Sequence, residues 1–213
     1  MLQGEHKDGS VIEHLEELRW ALIRSLLSVA VLFPVAFYFS DRITAVLVEK
    51  MCPVGFKLRY FSPVEPFLVQ LKMAAFIAIF IAAPYILRQA WGFIAPGLYG
   101  PEKRFAGFLL LLSCILFAGG AAFALVAILP VIMTFSTGFQ TAYLEAAIGF
   151  EQFISLAGML ALAFGAMFQC PAIVFVLVKT GLVTVERIIV LRPVIIVVIL
   201  VISAILTPPD VFS

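Results

Sequence analysis

An all-α, polytopic membrane bundle with proline-kinked helices is the fold class this sequence predicts, and three observations predict it. The chain is 63% hydrophobic and 13% charged, against roughly 45–50% and 25% in soluble domains. Its mean hydropathy is +1.14. Its apolar residues gather into five runs separated by short polar segments. A lipid-exposed backbone must satisfy its own amides and carbonyls, so such runs read as helices.

The runs are residues 20–39, 67–90, 105–130, 153–178 and 193–206. The first four reach the ~20 residues needed to cross ~30 Å of hydrocarbon. The fifth has 14 residues and rises only about 21 Å. It must thin the bilayer, sit among other helices or continue into flanking sequence. Pro34, Pro84, Pro130 and Pro171 lie within or at the ends of runs. Each removes an amide donor and crowds the carbonyl four residues earlier, which bends a helix and lets bent helices enclose a concave surface. The whole chain, 1–213, reads as a single transmembrane domain.

Orientation follows from basic residues near the run ends. With the N-terminus inside, Lys7, Arg19, Arg24, Arg88, Lys103, Arg104, Lys179, Arg187 and Arg192 fall on the inner side, against Arg42, Lys50, Lys57, Arg59 and Lys72 outside. Nine against five favours a cytoplasmic N-terminus, and residues 131–150 contain no Lys or Arg. No cleavable signal is visible, because residues 1–17 are polar and acidic and the run behind them is of full span length.

Several function classes are excluded. The formal net charge is +1, and the basic residues form no single patch, so nucleic-acid binding is not supported. Cys114 and Cys170 fall inside apolar runs and Cys52 in a loop, so no disulfide framework is implied. His6 and His14 have no thiol at ligand spacing, so neither a metal nor another cofactor is expected. No phosphate-binding loop, dinucleotide fingerprint, zinc-protease helix or nucleophile elbow occurs, and the runs hold no deep His, Asp or Glu to act as a base. Catalysis is not expected.

Chemistry concentrates at two acidic motifs that bracket the first two runs. His14-Leu15-Glu16-Glu17-Leu18-Arg19 precedes the first run, and Phe93 to Arg104, FIAPGLYGPEKR, follows the second. If the two runs pair antiparallel, Glu17 and Glu102 face the same aqueous side. Within the fourth run Gln169 precedes Cys170-Pro171. Its amide must find a partner, either locally or on another helix, and interhelical bonds of this kind contribute about 0.6–2 kcal/mol. Gln70, Lys72 and Gln152 sit near run ends, where snorkelling accounts for them.

HLEELR, FSPVEPF, APYILRQAWGFIAPGLYGPEKR, AFGAMFQCP and TPPDVFS occur in this order from His14 to Ser213. The chain thereby closely resembles the TatC family, the multispanning component of the twin-arginine protein translocase. The resemblance implies a receptor in the cell inner membrane for signal peptides bearing two adjacent arginines. It further implies that, with single-span partners of the TatA and TatB type and with self-association, the receptor supports export of folded proteins driven by the proton-motive force. By motif match the recognition carboxylates are Glu17 and Glu102, with Arg19, Phe93 and Leu98 beside them. Gln169 and Pro171 are implied as a partner-docking point, and Pro63, Glu65, Pro208, Pro209 and Asp210 as structural loop residues. Carboxylates suit the task because a guanidinium fork donates two parallel hydrogen bonds to them, which lysine does not reproduce.

Two departures stand out. Gln169 occupies a position where family members often carry glutamate, and the chain ends after TPPDVFS, before a sixth span of the family would begin. The alternative class is a secondary transporter or channel for a small solute, which would show internal repeats and ionisable residues deep in its spans. A purely structural assembly factor would have no affinity for signal peptides.

Overall fold

The computed structural model describes residues 5–52, 58–94, 103–138 and 147–179, together with Pro193, Val197, Leu200 and Val201; side chains are described from Leu15 and, after the 95–102 segment, from Ala106. Among the described residues six α-helices follow one another: α1 Glu5–Met51, α2 Glu65–Ile94, α3 Lys103–Phe123, α4 Leu129–Gly138, α5 Phe150–Met167 and α6 Cys170–Lys179. A π-helical turn, Ala124–Ile128, joins α3 to α4. Among the described residues four stretches are long and apolar enough to cross a membrane: Leu15–Met51, Glu65–Ile94, Ala106–Gly138 and Phe150–Lys179. They correspond to the first four predicted runs, the third beginning one residue later than its run. The fifth run, 193–206, lies outside the described residues except at four positions, of which Val197, Leu200 and Val201 are exposed.

Contacts divide the chain into two units, Met1–Phe168 and Gln169–Ser213. In the first unit α1 is far longer than the run at 20–39. Its 47 residues rise about 70 Å, more than twice the hydrocarbon thickness. Asp41, Arg42, Glu49 and Lys50 end the apolar run without ending the helix, because exposed charged side chains cost a helix little once it is propagating. Pro34 and Pro84 likewise lie inside continuous helices.

Residues 105–130 also continue past their predicted end. Pro130 has no amide to give the ladder, and just before it the Leu129 amide bonds the Ala124 carbonyl, five residues back. That wider turn restores the buried face. Leu109, Ser113, Ala121 and Ala124 are buried before it and Leu129 and Met133 after it, so the extra residue keeps both halves of the span facing the core.

The core of this unit joins four helices: Ala36 of α1, Val69, Met73, Ala74, Ile77 and Ala78 of α2, Leu129 and Met133 of α4, and Phe153, Ile154 and Ala157 of α5. Small residues let the backbones approach, as expected where lipid offers no hydrophobic drive between helices. A methyl built on Gly120 of α3 would lie 2.5 Å from the Phe164 carbonyl oxygen, and one on Gly165 would lie 2.8 Å from the Phe117 ring. The α3–α5 contact therefore seats one glycine from each helix under a phenylalanine of the other.

In the second unit α6 opens with Cys170 and Pro171. A proline in the first helical turn forfeits no bond, because that amide has no intrahelical acceptor. Pro171 is exposed and Gln169 is buried.

Candidate functional site

The two ends of the first unit are built differently. At the end where α2 and α5 begin, residues of three segments are tied by hydrogen bonds. The Arg59 amide donates to the Ile148 carbonyl at 3.1 Å and the Phe150 amide to the Arg59 carbonyl at 2.8 Å, forming an isolated parallel bridge. Glu65, expected as a loop residue, is the first residue of α2 and only 5% exposed. Its carboxylate accepts the Phe61 amide at 2.7 Å and the Glu151 amide at 3.1 Å. One side chain thus fastens the segment before α2 and the start of α5.

Beside it Lys72 pairs with Glu151 and reaches Ser155 Oγ at 3.3 Å. Gln70 donates to Asp41 of α1. Lys72 and Gln70, near the start of α2, thus engage protein groups at the span end, and Gln152 is exposed. Pro63 lies in the turn before α2 and is exposed, next to exposed Tyr60 and Phe61. The half-buried Cys52 thiol is pushed up by desolvation, which keeps it protonated and a weak nucleophile.

The Asp41–Gln70 bond also sets the antiparallel register of α1 against α2. Glu17 lies 24 residues before Asp41, and Ile94 lies 24 residues after Gln70. Both sites are thus carried about 36 Å along the pair to a common height. At that height Glu16, Glu17 and Arg19 are exposed on α1 and Phe93 is half-buried on the last turn of α2. Leu98, Glu102, Pro208, Pro209 and Asp210 lie outside the described residues.

A second tie sets α2 against α3. Trp91 Nε1–H donates to Ser113 Oγ at 2.8 Å, and both residues are buried, at 3% and 0% exposure. Ile94 lies three residues after Trp91, whereas Lys103 lies ten before Ser113. Helix α3 therefore starts about 10 Å beyond the level at which α2 stops. Helix α1 also continues beyond it, to Glu5. Among the described residues, α1 and α3 thus both extend past the level at which α2 stops.

Sequence reasoning missed Trp91, Ser113 and the Lys72–Glu151 pair. The available signal was polarity out of place: Ser113 interrupts LLLLSCILF, and Lys72 follows soon after Glu65 in an apolar helix. Among the described residues no group of three or more His, Cys, Asp or Glu gathers as a metal site.

Membrane-length helices with charge confined to their end surfaces define a multi-pass membrane protein. Its relatives give the family. Residues 13–213 match the model of the Sec-independent protein translocase protein, TatC. The chain is 39% identical over 206 residues to the Sec-independent protein translocase protein TatC of Haemophilus influenzae, covering 95% of this chain and 80% of that one. It is 38% identical over 201 residues to TatC of Aquifex aeolicus, covering 92% and 83%. A crystal structure of the twin arginine translocase receptor TatC in DDM superposes with a TM-score of 0.81 at 35% identity, covering 92% of this chain and 89% of that one. The chain belongs to the TatC family, and it is a multi-pass protein of the cell inner membrane and not an enzyme.

Proposed function

We propose that this chain is the signal-peptide receptor of a twin-arginine translocase, reading two adjacent arginines with Glu17 and Glu102 and contacting the peptide through Arg19, Phe93 and Leu98. The observation that carries the reading is the common height of exposed Glu17 on α1 and of Phe93 on the last turn of α2. Glu102 follows Phe93 by nine residues and adjoins the first residue of α3 in the chain. The N-terminus is cytoplasmic in this reading, so the recognition face meets passengers before export. Likeness to the twin arginine translocase receptor structure over 92% of this chain supports the assignment.

An exposed ion pair contributes only ~0–1 kcal/mol, while charge-assisted hydrogen bonds reach ~1.5–3 kcal/mol. Two carboxylates gripping two guanidinium forks therefore supply selectivity, and apolar contact with the peptide supplies the remaining affinity. Partners of the TatA and TatB type dock at Gln169 and Pro171, where a buried amide hydrogen-bonds a polar partner group without needing a charge. The 1–213 chain acts as one functional unit, self-associating in the receptor complex and coupling to the proton-motive force through those partners. Pro208, Pro209 and Asp210 serve as a structural loop.

The test is binding of a fluorescent signal peptide, carrying Arg-Arg or Lys-Lys, to the purified chain in detergent, beside Glu17→Gln and Glu102→Gln. Preference for Arg-Arg that either substitution lowers supports the receptor reading. Equal binding of both peptides by the wild type overturns it.

A further inference from the structure

We infer that the buried Trp91–Ser113 hydrogen bond is the positioning tie of the recognition face, setting the roll of the last turn of α2 against α3; this rests on the receptor reading above. Trp91 and Phe93 are two residues apart, so they project about 200° apart around α2. Trp91 is buried against α3 while Phe93, on the other side, is half-buried. A rotation of this turn that released Trp91 would carry Phe93 with it.

Helix packing alone leaves that roll weakly specified. After Ala83, Trp91 is the one residue of α2 that is buried among those described, and Gly92 beside it is exposed. An indole N–H has a narrow range of directions in which its bond is near linear. In an apolar bundle the donor has few alternatives to Ser113, so the bond selects one roll. On the other helix, Ser113 is buried on the face that also buries Leu109. That face sets the azimuth of α3 over Leu109 to Ser113, and Glu102 directly precedes the first residue of α3 in the sequence. One bond thus refers both sides of the 95–102 segment to the same point.

The experiment uses the full chain in detergent, comparing wild type with Trp91→Phe, Ser113→Ala and the double variant. Arg-Arg and Lys-Lys peptide affinities are measured on the folded, monodisperse fraction, so that a loss of folded receptor does not register as weaker binding. In parallel, nitroxide labels at Arg88→Cys on α2 and Phe108→Cys on α3, in a background with the native cysteines replaced, report the helix-to-helix distance by pulsed EPR. Each single variant is expected to lower Arg-Arg affinity about threefold to thirtyfold and to reduce the Arg-Arg over Lys-Lys preference. The double variant should be no worse than the singles, as two ends of one bond require, and the distance distribution should broaden in all three.

Unchanged preference in folded variants of a wild type that does discriminate overturns the positioning role while leaving the receptor reading intact. Unchanged distance distributions overturn it as well, whatever the affinities do. A wild type that binds both peptides equally fails the receptor reading itself, and the positioning inference falls with it.

Discussion

The end of the first unit where α2 begins and the end where it stops put their polar groups to opposite uses. At the beginning, Glu65 turns its carboxylate inward onto two backbone amides, Lys72 meets Glu151, and Gln70 meets Asp41. At the stopping end, Glu16, Glu17 and Arg19 are exposed on α1 while the described tie between α2 and α3, Trp91–Ser113, is neutral and buried. The Glu65 carboxylate is taken up by the chain's own amides, whereas Glu17 sits on the exposed surface of α1. The difference teaches where substitutions should cost stability and where they should cost binding.

Removing the carboxylate of Glu65 should have the largest effect of either kind. Glu65→Ala removes the acceptor of the Phe61 and Glu151 amides, and each charge-assisted hydrogen bond so lost contributes about 1.5–3 kcal/mol. The thermal midpoint in detergent should fall well below that of the wild type, while the surviving folded fraction keeps its peptide preference. A drop in preference with an unchanged midpoint would break the division between the two ends.

At the opposite end Glu17→Gln should do the reverse. Its effect on the midpoint should be negligible, because Glu17 is exposed. Arg-Arg peptide binding should weaken by about 1.5 kcal/mol, roughly tenfold, the low end of a charge-assisted bond in a wet setting. Lys-Lys binding should change less, since a lysine makes no forked pair with a carboxylate.

Gly120→Ala tests the middle of the bundle, where neither end's chemistry applies. The added methyl would meet the Phe164 carbonyl oxygen at 2.5 Å, a backbone atom that yields only if α3 and α5 separate. Overpacking of this kind costs about 1–3 kcal/mol. Thermal melting should show it, and pulsed-EPR distances between α3 and α5 should lengthen.

How legible these features were in the sequence depends on the range of the interaction. Apolar runs are local, so four spans were read from composition alone. Their ends were misjudged for physical reasons: the helix of α1 carries Asp41 and Arg42 without breaking, and the π turn before Pro130 absorbs a proline that reads as a stop. FSPVEPF drew attention to Glu65, yet one of its partners lies 86 residues away, beyond any pattern of spacing. Trp91 and Ser113 are 22 residues apart across the 95–102 segment, and each alone reads as an ordinary span residue. The height shared by Glu17 and Phe93 needed the register of α1 on α2, which Asp41 and Gln70 supply and no motif announces.

The smallest expected effect concerns the Lys72–Glu151 pair, and it separates fastening by charge from fastening by the backbone. The pair's side chains are 43% and 40% exposed, so water and salt screen it and its worth should be ~0–1 kcal/mol. Lys72→Met, Glu151→Gln and the double variant form a cycle whose coupling energy, read from denaturation in detergent, should fall in that range and shrink as ionic strength rises. The Glu151 amide is untouched by Glu151→Gln, so its bond to Glu65 persists in every corner of the cycle. A coupling energy well above 1 kcal/mol that is insensitive to salt would mean that the pair is shielded by lipid or by a neighbouring subunit, and the charge at this end would then rank with Glu65 as a fastening.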